Sequence, residues 1–444
     1  MKIYQPEEAC KTLLKRQPFG LQPVSERTLQ GIKTVFGEAL SPAEAVSCIL
    51  LDVRSRGDAA LVEWNTKLDQ RSDPVFRVAE QDLRNALASL PTDQRSALQT
   101  AAKRVTDFHN RQPASSWTQQ TADGTLGQLM RPIRRVGIYV PGGSAPLPSS
   151  VLMSVLPAQV AGVKEIVICS PVDRQTGKVS PVTLAAAELV GVKEVYAIGG
   201  AQAIAAMAFG TQSIAAVDKI FGPGNLFVTL AKQQVFGTVG IDTLAGPTET
   251  VIIADESANP NWVALDLLAQ AEHDPLAAAI LLTPSLAFAE KVNAEIEKLT
   301  SGKPAFSRQA ILDQSLNDRS GMVITRDIEE AVELSNLYAP EHLNLVVSQP
   351  SDWIQKIDAA GGIFVGERSF EVLGDYAAGP SHVMPTGGSA RYASPLNVWD
   401  FLHIVSLVGL TPAGAEGVAQ TSSVIARMEG LDAHARAAEA RLRS

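Results

Sequence analysis

Short apolar runs bounded by turn residues recur through the middle of the chain and alternate with segments whose apolar positions repeat at helical spacing. Between residues 135 and 240, the runs 136–140, 165–169, 194–198 and Lys219–Phe221 predict strands. The intervening stretches 149–161, Pro181–Leu189, 201–209 and Leu226–Val235 predict helices. Strands that alternate with helices through short connections imply a parallel sheet covered on both faces. An internal echo supports the step. Ala161-Gly-Val-Lys-Glu-Ile-Val and Val190-Gly-Val-Lys-Glu-Val-Tyr each leave a helix at a glycine and enter a strand through Lys-Glu.

Residues 248 to 375 repeat this grammar, with strands expected at 250–254, 278–282, 322–324, 345–347 and Gly362–Val365. Helices are expected at 261–273, 286–299, 328–338 and 351–359. The flanks read differently. Up to about residue 112 the pattern is mostly helical, and Ser41-Pro-Ala-Glu44 combines an N-cap, a first-turn proline and a capping box. One long helix follows Pro91-Thr92 and runs through His109. From Trp117 to Pro132 the pattern turns to β about Asp123-Gly124. Past residue 385, Thr386-Gly-Gly-Ser-Ala390 leads to a helical tail too small to fold alone, which must pack on another domain or a partner chain.

The fold class is therefore α/β, with two incomplete Rossmann-like domains of mainly parallel sheets and small helical terminal segments. The expected boundaries are a helical segment at 1–34; a first α/β domain made of 35–134 with 248–384; a second at 135–247; and a small C-terminal domain at 385–444.

Composition narrows the partners. Of the 444 residues 45% are hydrophobic and 19% charged, as in ordinary globular proteins, and 47 acids against 38 bases leave a net charge of −9. With no basic block, nucleic acid and anionic membranes are poor partners. The N-terminus lacks a signal-peptide pattern and no apolar run is long enough to span a bilayer, so a cytoplasmic location is expected. Cys10, Cys48 and Cys169 are dispersed and odd in number, which argues against a disulfide framework or a cysteine zinc site. Cys169 reads as a small buried hydrophobe.

Candidate chemistry gathers in polar clusters. Gln270 and His273 stand three apart, which on a helix puts an amide oxygen and an imidazole on one face. Pro340-Glu341-His342 sets a carboxylate beside an imidazole, a pair suited to general acid–base work. Further clusters are Gly374-Asp375 through His382, and Glu429 through His434. Gln270, His273, Asp375 and His434 would offer zinc an oxygen and nitrogen donor set, although no spacing shows that they meet. His109 and His403 sit in ordinary helical patterns and read as structural. Tyr139-Val-Pro-Gly-Gly143, Ile198-Gly-Gly-Ala-Gln202 and Phe221-Gly-Pro-Gly-Asn225 each follow a strand and precede a helix, where glycines let backbone amides approach a phosphate.

Five motifs in order, Ala245-Gly-Pro-Thr-Glu249, Gln270-Ala-Glu-His-Asp274, Ala339-Pro-Glu-His-Leu343, Gly374-Asp-Tyr-Ala-Ala-Gly and His382-Val-Met-Pro-Thr386, resemble those of the histidinol dehydrogenases, from about residue 20 onward. The resemblance implies a zinc-containing, NAD-dependent enzyme, with one zinc per subunit. Such an enzyme oxidises L-histidinol through L-histidinal to L-histidine, the last steps of histidine biosynthesis. It also implies a homodimer whose small C-terminal domain reaches into the partner's active site.

Carried over, Gln270, His273, Asp375 and His434 correspond to metal ligands, with His434 given by the other subunit, and Glu341 and His342 to the catalytic pair. Substrate contacts correspond to Thr248, His382 and Glu429 together with Gln270, His273, Glu341, Asp375 and His434. NAD contacts correspond to Tyr139, Gln202 and Asn225. In this scheme zinc holds the substrate's nitrogens, His342 removes the alcohol proton, and Glu341 activates water for the second oxidation. Thr248 stands where many members have Ser, and Ser381 where Asn is common. The alternatives are a related NAD-dependent dehydrogenase of another small alcohol such as a sulfonated diol, a zinc hydrolase, or a non-catalytic metal-binding protein.

Overall fold

The computed structural model describes residues 1–16, 24–142, 146–302 and 306–442. Two parallel sheets and one antiparallel sheet carry the architecture, so the α/β class holds. The larger sheet runs in the order Ile3–Tyr4, Gly321–Ile324, Ala278–Thr283, Glu249–Ala254, His342–Val346, Gly362–Val365, with every neighbour parallel. Its three central strands are buried along their whole length. Successive side chains in a strand point to opposite faces. On one side Ile252 and Leu281 meet the helices Pro260–Ala271 and Leu286–Thr300; on the other Val251, Ile253, Leu343 and Leu345 meet Ile328–Tyr338.

The second sheet runs Glu194–Ala197, Glu165–Ser170, Arg135–Tyr139, Lys219–Phe221, Gly240–Ile241, again all parallel. The echoed glycines explain its regularity. Gly162 and Gly191 both take positive φ, 90° and 74°, and the residues after them close the helix ends by Val163 N to Ala158 O and Val192 N to Ala187 O. The helices Pro42–Arg56 and Asp58–Asp69 pack on this sheet through Ile49, Val53, Leu61 and Trp64. Ser41 and Glu44 form the expected capping box.

These elements form one compact unit, Met1–Arg111 with Arg134–Asn397. The second unit, Gln112–Ile133 with Val398–Ser444, is built on the hairpin Trp117–Thr121 and Gly124–Pro132. A strand at Leu402–Leu410, where the pattern had suggested helix, pairs antiparallel with Gly124–Pro132 in register from Leu402 opposite Pro132. His403 therefore lies on an exposed strand rather than a helix. The helices Pro412–Met428 and Asp432–Glu439 complete this unit.

Three boundaries differ from expectation in ways that matter for the site. The helix expected at 351–359 is two 3-10 turns, Pro350–Asp352 and Ile354–Lys356, because the Asn336 side chain takes Lys356 O and Asp358 N and draws the chain off a helical path. The helix expected to reach residue 273 ends at Ala271, yet His273 N still donates to Gln270 O at 3.3 Å. The strand expected to begin at 345 begins at His342, because Thr250 and Gly362 flank it on either side.

Candidate active site

The strand Glu249–Ala254 and the strand His342–Val346 run side by side, and Thr248, Glu249, Glu341 and His342 cluster at their amino ends. This departs from the usual placement of ligands at carboxyl ends of open sheets. Glu341 and His342 are only 6% and 4% exposed, so they are walled in rather than solvated. Glu341 Oε2 accepts hydrogen bonds from Thr248 Oγ1 at 2.5 Å and Glu249 N at 3.0 Å. Burial nonetheless pushes its carboxyl up to about 7, against the opposing pull of His342 and of those two donors.

The surroundings of His342 decide its tautomer. Its Nδ1 faces three acceptors: Glu249 O at 3.2 Å, Glu371 Oε1 at 3.6 Å and Glu341 Oε2 at 3.7 Å. A ring nitrogen bonded to a carbonyl oxygen carries a hydrogen, and in the neutral ring that leaves the lone pair on Nε2. That Nε2 is buried without a hydrogen-bond partner and lies 3.9 Å from Asp375 Oδ1. It is placed to take a proton from a group bound beside Asp375.

Gln270 is fully buried, its Nε2 donating to Thr248 Oγ1 at 3.0 Å while its Oε1 has no partner. An unsatisfied amide oxygen in the interior is costly unless something fills its site. Burial holds His273 and His382 below the usual imidazole range, and Asp375 acts on both rings in the opposite sense. Neutral rings retain the lone pair a metal requires. His382 Nδ1 donates to the Asp375 carbonyl at 2.8 Å, and its Nε2 faces Ser150 Oγ at 3.4 Å. Ser381 is absorbed locally: its hydroxyl donates to Met153 O and accepts from Val383 N.

The first unit thus brings Thr248, Gln270, His273, Glu341, His342, Asp375 and His382 into one neighbourhood. Glu429 and His434 lie exposed on the small unit. Among the described residues no three His, Cys, Asp or Glu side chains gather closely enough by themselves to hold a metal ion. The expected set differs from such a group in using the Gln270 amide and a residue of the small unit.

At the second sheet the glycine-rich turns do lie at carboxyl ends. Tyr139 ends one strand, and its hydroxyl accepts from Gly200 N at 3.2 Å, at the start of the helix Gly200–Phe209. Gln202 in that helix is 1% exposed and donates to Asn65 and Asp69, each at 3.3 Å, with its Oε1 unpartnered. Asn225 caps the helix Leu226–Val235, its Oδ1 accepting from Phe227 N and Val228 N. A Cβ on Gly222 would stand 2.1 Å from Tyr139 O, so only glycine lets these two strand ends close together. Gly143 of the first turn lies outside the described residues. Cys169 is fully buried and burial pushes its thiol up to about 12, which suits the packing role expected of it.

Sequence reasoning missed Glu371, a buried carboxylate that burial raises well above its ordinary range, with the negative charge of Asp375 adding to the effect. It lies in Ser369-Phe-Glu371, a stretch with no motif to mark it, and only the short helix Glu371–Tyr376 brings it to His342. Glu249 was visible only as the end of a motif.

Comparison with known proteins agrees over nearly the whole chain. Residues 38–442 match the histidinol dehydrogenase family. The chain is 46% identical over 446 residues to the histidinol dehydrogenase of Deinococcus radiodurans, covering 100% of both. It is 48% identical over 398 residues to that of Dechloromonas aromatica, covering 89% of this chain and 91% of the relative. The crystal structure of histidinol dehydrogenase from Elizabethkingia anophelis superposes with a TM-score of 0.89 at 36% identity, covering 100% of this chain and 98% of that one.

Proposed function

The chain belongs to the histidinol dehydrogenase family, and on that footing we propose that Glu341 and His342 carry acid–base steps in a two-step, NAD-dependent oxidation of L-histidinol to L-histidine. The observation that carries this reading is the contact of His342 Nδ1 with the Glu249 carbonyl, which makes Nδ1 the donor and turns a partnerless Nε2 toward Asp375. His342 Nε2 takes the hydroxyl proton in the first oxidation. Glu341, its carboxyl pushed up to about 7 by burial, takes in its ionised form a proton from the water that adds to the aldehyde before the second.

Gln270, His273, Asp375 and a second copy's His434 are the residues that would hold zinc. The partnerless Gln270 Oε1 and the neutral His273 fit that role. Zinc, when bound, supplies a Lewis-acid anchor for the substrate's nitrogens. NAD, when bound, supplies the hydride acceptor. Tyr139, Gln202 and Asn225 line its expected place at the carboxyl ends of the second sheet, and residues 135–247 act as the cofactor half of the enzyme. Thr248 and His382 flank the substrate, with Glu429 of the second copy completing its surroundings.

Exposed apolar residues support a homodimer. The helix Pro260–Ala271 turns Trp262, Leu265 and Asp266 toward a cleft of about 430 Å³ that Phe370 also lines, and the small unit exposes Ile404, Val408, Ile425 and Met428. A second copy covering these surfaces would bury them. Among the described residues no helix is long and apolar enough to cross a membrane.

The test is NADH formed per histidinol consumed on protein of known zinc content. Two NADH per substrate, lost on chelation and restored by zinc, is expected; zinc-replete protein that forms none overturns the reading.

A further inference from the structure

Glu249 touches both members of the acid–base pair through its backbone alone. Its N–H donates to Glu341 Oε2 at 3.0 Å, and its carbonyl accepts from His342 Nδ1 at 3.2 Å. Wherever this residue sits, the two reactive side chains follow. Its own side chain is 5% exposed and ends in a carboxylate, so a charge there needs a partner.

That compensation comes from far away in the chain. Arg16 forms a bidentate pair with the Glu249 carboxylate, through Nη1 to Oε2 and through Nη2 to Oε1 at 2.7 Å. The same guanidinium lies 3.4 Å from the centre of the Tyr338 ring, and Tyr338 donates its hydroxyl to Glu249 at 3.2 Å. Arg16 also donates from Nε to Tyr338 O at 2.7 Å and from Nη2 to Ala339 O at 3.2 Å. Ala339 sits at φ 52°, a left-handed conformation unusual for alanine, two residues before Glu341. One guanidinium thus grips the strand that bears the pair and its neighbour: Ala339, on the approach to Glu341 and His342, and Glu249 on the adjacent strand. The arm that presents it is anchored by Ile3–Tyr4, paired with Met322 and Val323. Arg16 lies outside residues 38–442, which match the family.

We propose that Arg16 is a positioning residue for the acid–base pair, acting through Glu249 and the Ala339 carbonyl. The inference rests on the assignment of Glu341 and His342 as that pair. Removing the fork loosens both strand ends, and a displacement on the order of 1 Å at reacting groups costs roughly 100-fold in rate.

The test uses the full-length, zinc-replete protein in four forms: the parent, Arg16→Lys, Arg16→Met, and Arg16→Met combined with Glu249→Gln. The double variant removes the unpaired buried charge, so it regains the melting temperature that Arg16→Met loses. A purely structural role predicts that turnover returns with it. Positioning predicts that kcat stays low, by about 10- to 100-fold, while KM for histidinol and NAD changes little, and that Arg16→Lys is intermediate. Parent-like kcat in Arg16→Lys and in the double variant overturns the proposal, even if Arg16→Met fails to fold. Glu341→Gln and His342→Ala serve as controls. If they keep full turnover, the reading of the pair fails; if they lose it while the Arg16 variants do not, only the positioning role fails.

Discussion

Thr248 accepts from Gln270 and donates to Glu341, so a single hydroxyl ties one proposed metal ligand to the proposed acid–base pair. Thr248→Ser keeps the hydroxyl and is expected to retain activity. Thr248→Val, of nearly the same shape, should lose about 10-fold or more in turnover and bind zinc more weakly, as such outer partners do; titration with a zinc chelator and steady-state rates check both. Glu341 makes a prediction with a sign. Its ordinary pKa is 4.5 and its folded value about 7, so the folded protein binds the extra proton between these limits. Its contribution to stability is therefore full below pH 4.5 and is lost as pH rises through about 7. On the proposed role of Glu341, ionisation over the same range creates the base, so oxidation of supplied histidinal should rise with pH through about 7. Glu341→Gln should remove that limb and spare the first oxidation more than the second, whereas His342→Ala should damage both. Equal losses on histidinol and histidinal in the Glu341 variant would argue against this division of roles.

At the scale of elements, local chemistry was legible wherever it was self-contained. The capping box at Ser41 and Glu44 forms as its spacing predicts, with Ser41 N to Glu44 Oε2 at 2.8 Å. Ser41→Ala should cost about 1 kcal/mol in a denaturation curve and leave kcat unchanged, since the cap lies on an exposed helix end. Gly222 is a contrasting case. Its φ of 107° and the closeness of Tyr139 O mean that Gly222→Ala forces two strand ends apart. The expected outcome is a raised KM for NAD with a smaller effect on histidinol, read from paired titrations. Elements whose bounds depend on distant partners do not follow from local pattern. Ser-Asp-Trp-Ile reads as a helix start until Asn336 is known to hold Lys356 and Asp358. The strand through His342 could not be extended back to that residue from its own polar sequence, because its pairing partners are Thr250 and Gly362.

For the whole molecule, the small unit joins a hairpin near residue 120 to the segment Val398–Ser444 by one antiparallel strand pair. It exposes His434 and Glu429. If each active site takes Gln270 from one subunit and His434 from the other, mixtures of His434→Ala and Gln270→Ala protein should regain activity. Random exchange makes half the dimers mixed, each with one intact site, so roughly a quarter of the parent activity is expected. Wholly inactive mixtures that demonstrably exchange subunits would remove the shared-site idea.

What the chain determined by itself was the class of fold and most of its strands and helices. Periodicity, caps and turn glycines act between residues a few positions apart, so a linear reading captures them. It also displayed the residue types of the site, since Gln270-Ala-Glu-His273 and Pro340-Glu341-His342 stand in compact motifs. Tertiary structure alone decided which atoms those residues present. The partnerless Nε2 of His342 follows from the Glu249 carbonyl engaging its Nδ1, and the partnerless Oε1 of Gln270 follows from Thr248 engaging its amide. Likewise Arg16 and Glu371 carry no local signal. Their roles arise from contacts across 233 positions in one case and from burial against neighbouring acids in the other, and neither long-range contact nor desolvation is written in the spacing of residues.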